Sequence, residues 1–227
     1  MLRILTIAIW LLLDVETASF AADLPSRDTK DWKLHRIDLG KQIVIFKVPQ
    51  GESADWPRFD IPSRLTLDSP NLFDEAGEGP KLLARSWDYR ANRFSIVYGT
   101  LHAYLVLWRS ESELKSTDAL RRAEEMSSDM IRATDIRRGG RGGPRDIKRY
   151  EVVTIGGKEG LLVRHSTTTP HYAVAVDANH YLTISISVQS NVSSPSWRVD
   201  AQGAVQEILR SIRIEPNPVM ANSPAQK

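Results

Sequence analysis

The stretch that most constrains this chain runs from residue 172 to 214, where an apolar period of two gives way to a period near 3.6. Leu182, Ile184, Ile186 and Val188 alternate with Thr183, Ser185, Ser187 and Gln189, the pattern of an antiparallel strand with one packed and one wet face. Just upstream, Tyr172, Val174 and Val176 alternate with Ala173 and Ala175. Asp177, Ala178, Asn179 and His180 supply polar turn chemistry between the two runs, so the pair predicts a hairpin. Downstream, Ala201, Ala204, Val205, Ile208, Leu209 and Ile212 share one helical face, and a helix of that kind can cover the apolar side of the sheet.

The same two periods recur upstream. Residues 42–48 read as a strand, with Ile43, Ile45 and Lys47 alternating against Val44, Phe46 and Val48, and Pro49 and Gly51 stop it. Residues 52–80 carry Pro57, Pro62, Pro70 and Pro80 with Gly77 and Gly79; this is loop, with at most a short strand at 64–67. Strands follow at 81–90 and 97–108. In the second, Leu101, Ala103, Leu105 and Leu107 face away from His102, Tyr104, Val106 and Trp108.

Ser116 or Thr117 can cap a helix whose expected buried stripe is Leu120, Ala123, Met126, Ser127, Met130 and Ile131. Arg121, Arg122, Glu124, Glu125 and Asp129 are expected to stay solvated. Strands at 148–155 and 161–165 flank Gly156, Gly157 and Gly160, which suit a tight reversal rather than a phosphate cradle, because no helix opens after them. Strands, helix, strands and helix joined mostly by short turns predict an α+β fold, an antiparallel β-sheet with two main helices packed on it.

The address comes from the start of the chain. Arg3 precedes an apolar run at 4–13, and Ser19, Phe20 and Ala21 end in small residues, the layout of a secretory signal peptide cut after Ala21. Such a run is too short to anchor in a bilayer. The expected organisation is a signal peptide at 1–21, a lead-in at 22–41, a single domain at 42–216 and a polar tail at 217–227. The absence of cysteine excludes disulfides, thiolate metal sites and cysteine nucleophiles. A disulfide-free exported chain fits a bacterial periplasm. A formal net charge of +2 gives no bulk field for nucleic acid.

The strand Gln42, Ile43, Val44, Ile45, Phe46, Lys47, Val48 with Pro49, Gln50 and Gly51 resembles the opening strand of the PsbP-like and DcrB-like families. The run from Tyr181 to Val188, passing through a serine-rich linker into Ala204, Val205, Gln206, Glu207, Ile208, Leu209, Arg210, Ser211, Ile212, Arg213 and Ile214, is similar to their C-terminal end. The resemblance implies a small exported α+β domain that binds rather than catalyses, with a last helix across an antiparallel sheet. The scaffold is also similar to that of some periplasmic immunity proteins that neutralise type VI secretion effectors.

Candidate chemistry is sparse. Arg137, Arg138, Arg141 and Arg145 lie among Gly139, Gly140, Gly142 and Gly143. Such a basic loop suits an acidic protein surface, while one short copy without aromatics does not make an RNA-binding segment. Trp56, beside Pro57 in the proline-rich loop, is the tryptophan expected to face a partner. His35, His102, His165, His171 and His180 show no metal-ligand spacing. No nucleophile elbow or Ser-x-x-Lys motif occurs. The expectation is therefore a non-enzymatic protein-binding module with no cofactor and no metal, whose partner is another protein with an acidic surface, an effector in the sharper form. A periplasmic small-ligand-binding or envelope accessory protein and a hydrolase with a site assembled only in three dimensions are the alternatives.

Overall fold

The computed structural model describes residues 32–50, 60–90, 96–142, 147–166, 169–191 and 196–221. Trp56 and Arg145 lie outside them. Among the described residues nine strands form two antiparallel sheets. The larger contains β3 (Glu78–Tyr89), β4 (Gly99–Arg109), β8 (His180–Ser190), β7 (His171–Ala175), β6 (Lys158–His165) and β5 (Lys148–Ile155), in that spatial order. The smaller contains β1 (Lys33–Asp38), β2 (Gln42–Val48) and β9 (Arg213–Pro216). The α+β class follows directly.

The alternating strand of the sequence is β8, paired along its length with β4 through Leu101↔Val188 to Trp108↔Tyr181. One face of this pair carries Leu101, Leu105, Leu107, Leu182 and Ile184, all fully buried. Over it lies α2 (Ser196–Ser211), which contributes Ala201, Ala204 and Ile208, and the small sheet supplies Val44, Phe46 and Ile214. Each such aliphatic side chain is worth about 1.5–3 kcal/mol on burial. The approach of α2 is close: a Cβ at Gly99 would stand 2.2 Å from the Trp197 ring, so only glycine lets the first turn of the helix settle there.

Hairpin β5–β6 turns at Gly156 and Gly157, with φ of 58° and 79°, the pair of positive values that a two-residue reversal requires. Lys33–Asp38, within the expected lead-in, form β1 and pair with β2 from Lys33↔Val48 to Asp38↔Ile43. Their residues show no clean alternation, so the register with β2 decides the strand. The expected short strand at 64–67 reduces to one isolated parallel bridge, Asp38↔Arg64.

The opposite face of the large sheet is more polar, and α1 (Thr117–Arg137) crosses part of it. Ser116 caps α1 by accepting from the Ala119 N–H at 3.2 Å, while Asp118 in the first turn and Arg137 in the last complement the helix dipole. Among the described residues no helix is long and apolar enough to cross a membrane.

Candidate functional site

Strand alternation places Lys148 and Tyr150 of β5, Val163 and His165 of β6, His171 of β7 and Tyr181 of β8 on the face beneath α1. Leu120 and Ala123 of α1 pack on Trp108, Leu161, Val163 and Ala173, a smaller apolar cluster. Beside it lies a buried carboxylate. Glu124, expected among the wet residues, is only 4% exposed; it follows Ala123 within the helical stripe and so turns toward the sheet.

Four groups meet Glu124. Lys148 Nζ donates to both of its oxygens at 2.8 and 2.9 Å, and the Tyr150 hydroxyl donates to Oε2 at 2.8 Å. Ser128 Oγ donates to Oε1 at 3.3 Å and accepts from Lys148 Nζ. His171 Nε2 stands 3.4 Å from Oε1, and its Nδ1 is 2.9 Å from His165 Nε2. Burial alone would raise the Glu124 carboxyl; the His171 and Lys148 contacts outweigh it and hold the group down at about 2. Burial, and then the neighbouring Glu124 charge, push the Tyr150 phenol up.

This arrangement suits anchoring better than proton transfer. A carboxyl held near 2 is a poor base, and the Lys148 ammonium donates to Ser128 instead of receiving its proton. The histidines form a chain with Glu124. Among the described residues no group of three or more His, Asp or Glu side chains is placed to hold a metal ion.

Beyond this anchor the stripe of α1 continues into solvent. Met130 and Ile131 continue the face that Leu120, Ala123 and Ser127 bury, yet they are 38% and 44% exposed, and Met126 at its flank is 45% exposed. These three were expected in the core; Met130 and Ile131 lie past the last bonds of α1 to the sheet, at Ser127 and Ser128, and Met126 faces the flank of the helix. Met126 and Met130 line a small cleft with Glu75, Ala76 and Arg109.

The arginines follow at the same end. Arg137 is the last helical residue rather than part of the loop, and its guanidinium donates to Glu75 Oε2 and Thr134 Oγ1, both at 2.9 Å. Arg138 is the C-cap residue, its N–H donating to the Thr134 and Asp135 carbonyls. Arg141 is exposed in a loop folded back on the helix, where the Asp135 carboxylate accepts from the Gly142 N–H at 2.9 Å. Arg137, Arg138 and Arg141 thus lie at the C-terminal end of α1, and the Glu75 that Arg137 holds also lines the cleft of Met126 and Met130.

The group that sequence reasoning missed is Glu124 with Lys148 and His171. Its available signal was a carboxylate inside the Leu120, Ala123, Ser127 stripe. No family model matches this chain, and no curated protein or solved structure matches it significantly.

Proposed function

We propose that the chain is an exported, non-enzymatic protein-binding module that grips its partner with the far half of α1 and the arginines at its end. The observation that carries this reading is the exposed continuation of the helical stripe, Met126, Met130 and Ile131, next to Arg137, Arg138 and Arg141. Flexible, polarizable methionines adapt to a partner's apolar patch. Arginines around them suit a rim of carboxylates. Arg137 is paired with Glu75, while Arg138 and Arg141 have no ion-pair partner among the described residues and remain available to such a rim. The ion cluster at Glu124 supports the same role by fixing the near half of the helix so that the far half is presented rigidly. In its sharper form the partner is an effector delivered to the periplasm, as the scaffold resemblance implies.

The test uses the chain from Ala22 onward as bait in periplasmic extract of its host, followed by reconstitution with the purified candidate. Met130→Asp and the triple change of Arg137, Arg138 and Arg141 to serine should each abolish a one-to-one complex, while Lys41→Ala, remote from this surface, keeps it. Complexes indifferent to both surface variants, or binding to anionic vesicles in place of protein, would sink the proposal.

A further inference from the structure

Beside the start of β8, three segments distant in sequence border an open cleft of about 500 Å³. The β1–β2 turn supplies Leu39 and Lys41, the segment between Pro62 and Pro70 supplies Arg64 to Asp68, and the β7–β8 turn supplies Asp177 to His180. The volume lies within the usual range of small-molecule sites, and none of its residues belongs to the α1 surface.

Each wall is pinned. Asp177 Oδ1 accepts from the Asn179 and His180 N–H groups at 2.8 and 2.9 Å, and its two oxygens meet His180 Nδ1 at 2.9 and 3.0 Å. Phe73 stacks on the imidazole at 5.4 Å. With Nδ1 occupied and the ring held, Nε2 is the hydrogen-bonding atom that His180 has left to offer. Asp38 fixes the other two walls: its Oδ1 accepts from the Gly40 N–H and from the amide of buried Asn217, while its backbone pairs with Ser63 and Leu65. A site whose walls are held in this way loses little freedom on filling.

The polar groups of the lining are of both signs and not satisfied by one another. Lys41 has no ion-pair partner among the described residues, nor has Asp68, and Arg64 reaches Asp38 only at 3.7 Å with most of its side chain in solvent. Leu39 is buried, and Leu65 and Leu67 are half-buried against the core, which gives the cleft an apolar floor. A ligand that satisfies this set carries a carboxylate for Lys41 and Arg64, an ammonium for Asp68, a polar group for His180 Nε2, and an apolar side chain. We infer that the cleft binds a short peptide with both termini free. A peptide of two or three residues has these groups and suits the volume.

Titration calorimetry of the full chain with Ala-Leu-Ala, its N-acetylated form and its C-terminal amide tests this. The free tripeptide should bind, and blocking either terminus should weaken it about fivefold. Lys41→Ala should weaken the free tripeptide similarly yet leave the amide's affinity unchanged; Asp68→Ala should do the same against the acetylated form. Both side chains lie on the rim, so the variants should keep the wild-type urea midpoint. His180→Ala should weaken all three peptides. Equal affinity for free and blocked peptides, no binding of the free tripeptide at millimolar concentration, or variants that do not discriminate between the blocked forms would overturn the inference.

Discussion

On one face of the large sheet α2 is held by Ala201 and Ile208, neither of them exposed at all. On the other, α1 is held partly by Leu120 and Ala123 and partly by a carboxylate that gathers an ammonium, a phenol and an imidazole. The apolar attachment is non-directional and tolerates small shifts. The ionic one fixes a single geometry, and it fails abruptly when one partner is removed. The contrast suggests why one helix can be covered along its length while the other projects past its support. A few directional contacts near Glu124 orient α1 without burying its far half.

The sharpest way to break this comparison is Glu124→Ala. Lys148 would be left buried beside no counter-charge, and the expected loss is about 3–5 kcal/mol in urea unfolding. Ile208→Ala should cost a similar amount, about 2–5 kcal/mol, through a cavity. A loss below about 1 kcal/mol for Glu124→Ala would mean that apolar packing alone holds α1.

Acid separates the two attachments further. Because folding lowers the Glu124 carboxyl from 4.5 to about 2, its contribution is complete above pH 4.5 and disappears as pH falls toward 2. Wild type should therefore lose stability across that window, by a few kcal/mol, more steeply than Glu124→Gln. Parallel urea midpoints for the two proteins from pH 5 to pH 2.5 would contradict the assignment. Ile208→Ala should follow the wild-type slope.

The smallest effect concerns the bond between Tyr181 and α1. Tyr181→Phe removes the donor that reaches Ser127 Oγ at 2.8 Å, which should cost about 1 kcal/mol and leave the α2 face unaffected. Hydrogen exchange should then speed up in the α1 amides and not in those of α2.

Local pattern made much of this fold legible. The alternation at Leu182 to Val188 marked β8, the turn residues after Val176 marked its hairpin, and Ser116 marked the start of α1. β1 was hidden because Leu34, Arg36 and Asp38 share no hydropathy with one another, and only pairing with β2 makes them a strand. The candidate surface was half visible. Glycines and arginines flagged the end of α1, but Met130 and Ile131 look like core on a helical wheel, and where the sheet stops beneath them depends on the pairing of strands distant in sequence. Glu124 was hidden for the converse reason. A charged residue beside Glu125 looks solvated until Lys148 and His171 arrive from other strands. The cleft at His180 could not be seen at all, since its three walls come from segments distant in sequence, two of them joined through Asp38.

The small sheet has a consequence for the life of the nascent chain. β2 finds one of its two neighbours in β9, and Lys47 bonds to Ser211 across 164 residues of sequence. At ordinary rates of synthesis, roughly ten to thirty seconds separate the emergence of the two. Through that interval one edge of an apolar strand stays bare, and the newborn polypeptide can close its fold only late.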